Sequence, residues 1–267
     1  MSKMAERPPI ANAPLSLVLV ASNAAADLVA VVLAWITELD TLHRSWEIIL
    51  VDDGSTDDTP MRADILAARN DRLRVVHHAM RQGFGAALRS GIAEAKYPLL
   101  AYTTCDLQYQ PAELKRFLEQ IDKVDLVTGC RLWMPVPRPA RWLGKLWRVV
   151  VRVLFGISLE PLPSWLGDHG QSKRWLAHWV FGVRVHDVEC AFRLLRRTIL
   201  ARLPIQSNGP FAQVEMLAKA NFCGCWIAEV PVAYHPPAGA VVPQPLSSKD
   251  SYLAEAYRLF REPAFRA

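Results

Sequence analysis

The chain has 267 residues, 51% of them hydrophobic and 21% charged, which is ample for the core of one large α/β domain or two small ones. A formal charge of +5 favours anionic partners or surfaces. The five cysteines, at 105, 130, 190, 223 and 225, are odd in number and form no CxxC pair, which argues against a disulfide framework or a zinc site and for reduced thiols in a cytosolic protein.

In chain order, residues 1–14 are short, polar and Pro-containing, and read as a flexible tail rather than a signal peptide. Leu15 to Ala21 (LSLVLVA) is a strand-like apolar run, ended by Ser22 and Asn23, and Ala24 to Leu39 carries a helical pattern. Glu47 to Val51 is a second, nearly continuous β-branched run, so the two strands and the helix form a βαβ unit. It stops at Asp52-Asp53-Gly54-Ser55, a turn composition, with Asp57, Asp58 and Thr59 as caps for a helix over Pro60 to Arg69. Asp52 and Asp53 thus stand at the carboxyl end of a central strand, where open α/β sheets bind ligands. They could equally do no more than close the turn and cap the helix.

Leu73 to His77 reads as the next strand, and Gly83 and Gly85 then open a helix reaching about Ala95. Such a start can hold an anion on free backbone N–H groups, although this GxG is too short for a dinucleotide fingerprint. Leu99 to Thr103 is a further buried strand ending in Thr104-Cys105-Asp106-Leu107-Gln108, followed by a helix from Pro111 to about Ile121. Asp125 to Thr128 gives one more strand before Gly129-Cys130-Arg131, and Glu229 to Val232 a last one. No run reaches the roughly 18 to 20 apolar residues that span a bilayer.

VDDGSTDDT, GFGAALRSGI, CDLQYQP, TGCR, HDVECAFRLLRR, VEM and AEVPV, in that order and spacing, resemble glycosyltransferase family 2, and within it the subgroup of dolichyl-phosphate mannose synthase and bacterial polyprenyl-phosphate sugar transferases. The resemblance covers about residues 15–260 and implies one GT-A domain. Such a domain is Rossmann-like, with a mostly parallel central sheet flanked by helices, and binds a nucleotide-diphosphate sugar; residues 261–267 form a C-terminal tail. It implies that Asn23, Asp52, Asp53, Gly83, Arg131 and Lys249 face a UDP- or GDP-sugar donor. Asp106 and Gln108 match the Asp and Gln of the family's Asp-x-Asp-x-Gln site for Mg2+ or Mn2+, hard cations suited to oxygen ligands. Asp106, Asp187 and Arg193 are its candidate catalytic residues, the last two on the acceptor side. A surface role for Arg131 stays open. Glu215 reads as a pocket group or a buried ion-pair partner, and Glu229 as structural.

The chain departs from the family pattern at Thr104, where the first metal-site Asp is missing, at Ala24 in the loop after the first strand, and at Pro237, where an Arg is expected. The metal site is therefore expected to be weakened. The function implied is inverting, metal-assisted sugar transfer to a polyprenyl phosphate by a cytoplasmic, peripheral membrane protein. Alternatives are a hydroxyl acceptor or a catalytically silent nucleotide-sugar binder. No side chain stands out as a general base, which suits a phosphate acceptor that is already ionised. A membrane-protein partner or a homo-oligomer is compatible with this reading; a nucleic-acid partner is not expected.

Residues 139–182 lie outside what the core fold needs. Arg141, Lys145, Arg148 and Arg152 share one helical stripe amid Trp142, Trp147 and Phe155, and Lys173 to Phe181 repeats that character. Helices lying in a membrane interface have this make-up. Helices packed on the domain or at a dimer interface would also have it.

Overall fold

The computed structural model describes residues 9–131, 177–178, 180–235 and 249–264. Within them lies a seven-stranded sheet: β1 (Leu15–Ala21), β2 (Trp46–Asp52), β3 (Leu73–His77), β4 (Leu99–Thr104), β5 (Leu126–Arg131), β6 (Arg193–Arg196) and β7 (Ile227–Val232). The strand order is β3-β2-β1-β4-β6-β5-β7. β1 pairs in parallel with β2 and β4, β2 with β3, and β5 with β7; β6 runs antiparallel between β4 and β5. The helices are α1 (Leu28–Thr41), α2 (Thr59–Ala68), α3 (Phe84–Glu94), α4 (Leu114–Leu118), α5 (Arg197–Leu200), α6 (Ala212–Phe222) and α7 (Lys249–Arg261).

The central strands are largely apolar because both sheet faces are covered, and the buried Ser16 and Glu47 on β1 and β2 bond to each other at 2.6 Å. Val18, Val20, Ile49 and Val51 face a layer that includes Leu88 of α3 and Val214 and Leu217 of α6. Leu17, Leu19, Ile48 and Leu50 face the opposite layer, with Val32, Trp35 and Leu39 of α1 and Phe117 of α4. Phe192 joins that layer, its ring stacked on Phe117 and edge-on to Trp35. No two of the five cysteines form a disulfide, and Cys105 and Cys190 are buried.

Several boundaries differ from the sequence reading, each for a local reason. α1 begins at Leu28 and not at Ala24, because the N–H groups of Ala24 and Ala25 are drawn to Thr59 Oγ1 and Asp57 Oδ2 of the neighbouring loop. The helix expected to reach Ile121 is a 3-10 turn over Pro111–Glu113 plus α4, and Gln120 N–H bonds back only three residues to Phe117. β6 was not expected; its four residues carry an Arg at each end. Most of the 139–182 segment lies outside the described residues. At its end, Ala177 and Phe181 are buried, and Phe181 packs against Phe211 and Phe222, so these two face the core. Among the described residues no helix is long and apolar enough to cross a membrane.

α3 lies unusually close to the sheet at Gly91, where a Cβ would come within 2.3 Å of Val18 Cγ1 and 3.1 Å of Val51 Cγ2. Both contacts are with β-branched side chains fixed in strands, so neither can swing away. Gly91→Ala is expected to destabilise the fold by about 1–3 kcal/mol, read as a lower thermal midpoint. A midpoint equal to wild type would mean that α3 can lift from the sheet at no cost.

Candidate donor site

Strand order reverses between β1 and β4, so the carboxyl ends of these strands border the crevice where a doubly wound sheet takes its ligand. The candidate residues stand around that crevice, and the geometry assigns them unequal parts.

Asp52 and Asp53 are almost wholly buried, with side chains 2% and 3% exposed. Asp52 accepts from Ser55 N–H at 3.1 Å and faces His77 Nδ1 at 3.0 Å. Asp53 accepts from Gln82 N–H and Gly83 N–H, both at 2.8 Å, and faces His78 Nδ1 at 2.9 Å. The pair expected at the donor base is thus turned inward, closing the loops that follow β2 and β3. The Gly-rich start of α3 is likewise filled. Gly83 gives its N–H to Asp53, and Gly85 N–H bonds to Asn208 O, so these groups are not open to an anion. Gly83 has φ +102, and a Cβ there would lie 2.5 Å from Asn208 O, so this turn requires glycine.

His77 and His78 were not singled out from the sequence, although the signal was present: each of two neighbouring strands ends its apolar run in a polar pair, VDD and VHH. Parallel register sets Asp52 beside His77. His77 Nε2 also meets Asp64 at 3.1 Å. A neutral imidazole donates from one nitrogen only, so an arrangement with a carboxylate on each side calls for the imidazolium. Burial acts to lower the His77 pKa, but the bonds to Asp52 and Asp64 outweigh it and hold the group above its ordinary 6.5.

Asn23 adopts φ +50, and its Oδ1 accepts from Thr56 N–H at 2.9 Å, stitching the loop after β1 to the loop after β2. At β4, the spacing does bring Asp106 and Gln108 together: Gln108 donates its N–H at 3.1 Å and its Nε2 at 2.7 Å to the Asp106 carboxylate. Burial raises the Asp106 pKa, opposed mainly by the Gln108 N–H. Thr104 Oγ1 is buried beside the Asp106 carboxylate, where it helps to favour the charged form, and has no other partner among the described residues. No group of three or more His, Cys, Asp or Glu able to hold a metal occurs among them. One carboxylate, one amide and one hydroxyl are oxygen donors of the hard type, and Mg2+ is commonly held by one or two carboxylates with the rest of its shell from substrate phosphates and water. The donor set fits such an ion in that limited sense.

Arg131 and Asp187 form a bidentate pair, Nε to Oδ2 at 2.6 Å and Nη2 to Oδ1 at 2.8 Å. Burial alone would lower the Arg131 pKa; the Asp187 bonds and charge raise it instead. The Arg131 guanidinium lies 5.2 Å from the Tyr234 ring centroid, and Tyr234 packs on Tyr109. Glu229 accepts from His186 N–H at 2.6 Å and Asp187 N–H at 3.2 Å, so its carboxylate sets the Asp187 turn. Arg131 is therefore committed within the protein and not extended toward a phosphate. Arg193 has no exposed surface; its Nη1 donates to Gln213 O at 2.6 Å and its Nη2 to Val188 O at 2.9 Å. This corrects the acceptor-side expectation, because a side chain sealed in the core by backbone carbonyls does not reach a substrate. Glu215 is fully buried with Lys219 at 2.7 Å, the ion-pair alternative. The Lys249 side chain and Pro237 lie outside the described residues.

A mostly parallel sheet with an acidic turn beyond β4 is the architecture of the GT-A glycosyltransferases. The structure aligns with glucosyl-3-phosphoglycerate synthase from Mycobacterium tuberculosis in complex with UDP at a TM-score of 0.63 and 20% identity, covering 95% of this chain and 82% of that one. The complex of that enzyme with Mn2+, UDP and glucosyl-3-phosphoglycerate aligns at 0.59, with 21% identity over 93% of this chain and 78% of that one. At such identities the likeness is one of fold. The profile described as glycosyl transferase family 2 matches residues 16–202, and the chain belongs to that family. It is 30% identical over 88% of its length to the glycosyltransferase AglD of Haloferax volcanii, covering 36% of that protein. Identity is 29% over 70% of the chain both to polyprenol monophosphomannose synthase of Mycolicibacterium smegmatis and to dodecaprenyl-phosphate galacturonate synthase of Rhizobium johnstonii, of which it covers 66% and 46%. The chain thus spans from about a third to two thirds of the length of these relatives.

The His77 geometry makes stability depend on pH. The folded pKa lies above that of the unfolded chain, so the stabilisation is fully present below pH 6.5 and is lost as pH rises through the folded value. Between pH 6 and 9 the thermal midpoint of wild type should fall relative to that of His77→Gln. Parallel midpoints across that window would show that His77 is neutral in the fold.

Proposed function

We propose that the protein transfers a sugar from a UDP- or GDP-sugar to a polyprenyl phosphate, with inversion, at the cytoplasmic face of a membrane. The observation that carries the reading is the Asp106–Gln108 turn at the β1/β4 crevice, in a chain with several relatives named for sugar transfer to polyprenyl phosphates. Asp106 and Gln108 would hold Mg2+ or Mn2+, which supplies charge neutralisation for the leaving diphosphate. With Asp106 as the one carboxylate, such an ion would depend on the donor for much of its hold.

The chain's own groups do the rest by position. Asp53 and Asn23 fix the loops on either side of the nucleoside end, and Asp187 with Arg131 builds a neutral, rigid wall on the acceptor side. An ionised phosphate oxygen of the acceptor attacks the anomeric carbon as the bond to the diphosphate oxygen breaks. The electron pair leaves with the nucleoside diphosphate, and no proton has to be removed. That accords with Asp187 being held by Arg131 and not standing free as a base. Docking through the 139–182 segment belongs to this proposal, its basic and aromatic side chains meeting the bilayer that carries the acceptor.

A panel of nucleotide-sugars paired with a short polyprenyl phosphate tests the reading. Wild type should form a polyprenyl-phospho-sugar with at least one donor, and Asp106→Ala should lower turnover by about 100-fold or more. A folded wild type that makes no such product with any donor overturns the acceptor assignment. Near-normal turnover of Asp106→Ala at saturating donor and metal removes Asp106 from the metal site.

A further inference from the structure

We propose that Arg81 is a specificity-determining residue for the donor nucleobase, its guanidinium donating to the oxygen-bearing edge of a keto base such as uracil or guanine. The inference rests on the donor reading above and starts from what that reading leaves unassigned. Asp52 and Asp53 are turned inward, and Arg131 is spent on Asp187. The nucleoside end of the crevice therefore needs another polar contact.

Arg81 is exposed, and among the described residues it has no hydrogen-bond or ion-pair partner. Its backbone, by contrast, is held on both sides. A Cβ on Gly54 would lie 2.3 Å from Arg81 N and 2.2 Å from Met80 C, so the two loops touch backbone to backbone, and Gly54 itself has φ +62. The next two N–H groups, of Gln82 and Gly83, are both bonded to Asp53 at 2.8 Å. The fixed backbone sets where this cationic side chain starts, so only its own rotamers remain to be ordered when a ligand is met.

Its place in the sheet says which part of the donor it meets. Arg81 follows β3 and abuts the turn after β2, whereas Asp106 follows β4. β3 and β4 are three strands apart, on the order of 14 Å at the usual spacing. With the diphosphate at Asp106, Arg81 stands at the base end. Guanidinium carries donors only, so it matches the keto oxygen that uracil and guanine present where cytosine and adenine carry an exocyclic amine.

The test is calorimetric binding of UDP, GDP, CDP, ADP and inorganic pyrophosphate with Mg2+ present, to wild type, Arg81→Ala and Arg81→Lys. Wild type should favour UDP or GDP. Both variants should lose roughly tenfold or more for the favoured nucleotide and most of the preference over CDP and ADP, with pyrophosphate unchanged. Thermal midpoints should stay at the wild-type value, since the side chain has no partner to lose. Wild-type nucleotide affinities in both variants overturn the assignment. So does a wild type indifferent to the base, or an equal loss for pyrophosphate that Lys restores, which would make Arg81 a phosphate contact. A wild type that binds none of these nucleotides refutes the donor reading itself, and this inference falls with it.

Discussion

The carboxylate of Asp53 is the contact that the carboxyl ends of β1, β2 and β3 depend on. It receives two backbone N–H groups from the loop after β3, faces the His78 ring, and its own N–H bonds to Ala21 O at the end of β1. One residue, through its backbone and its side chain, thus joins the carboxyl ends of three strands and sets where α3 begins. His78 continues the chain to Ser90 Oγ on α3, at 2.9 Å. A buried carboxylate is tolerable only with such a set of donors, and here each donor is one whose loss would leave another group unsatisfied. The crevice is shaped by this closure before any ligand enters it.

The acceptor side is organised by a different device. The Arg131–Asp187 pair, framed by Tyr234, Tyr109 and the Glu229 carboxylate, holds its two charges against each other. Cys190 beside it is pushed up to about 11, chiefly by burial, so its thiol is inert there. Charge around this pair is locally balanced.

The strands and their order of appearance were legible because apolar runs of strand length bounded by turn residues carry that signal directly. β1 and β3 begin and end where the periodicity puts them, at Leu15–Ala21 and Leu73–His77. The pairing of Asp106 with Gln108 was legible through the resemblance, which matches both residues to one motif. Side-chain direction at the strand ends was not. Asp52 and Asp53 look alike in sequence whether they face a nucleotide or the protein, and the deciding partners, His77 and His78, lie 25 residues away on the next strand. Arg193 misled for a similar reason: nothing local indicates that backbone carbonyls of Val188 and Gln213 would enclose its guanidinium. β6 was missed because a four-residue antiparallel strand is stabilised by its two neighbours more than by its own composition.

The bidentate pair also bears on how the chain is closed. Arg131 ends β5 and Asp187 lies 56 residues on, shortly before β6, so the contact closes a long loop of the chain. Closing a loop of that length costs entropy that grows only slowly with added residues. One fork-shaped contact and the pairing of β5 with β6 offset that cost at the two ends of the loop, and Ala177 and Phe181 near its end return to the core. The register of β6 between β4 and β5 is thereby tied from outside the strand as well as by its own ladder.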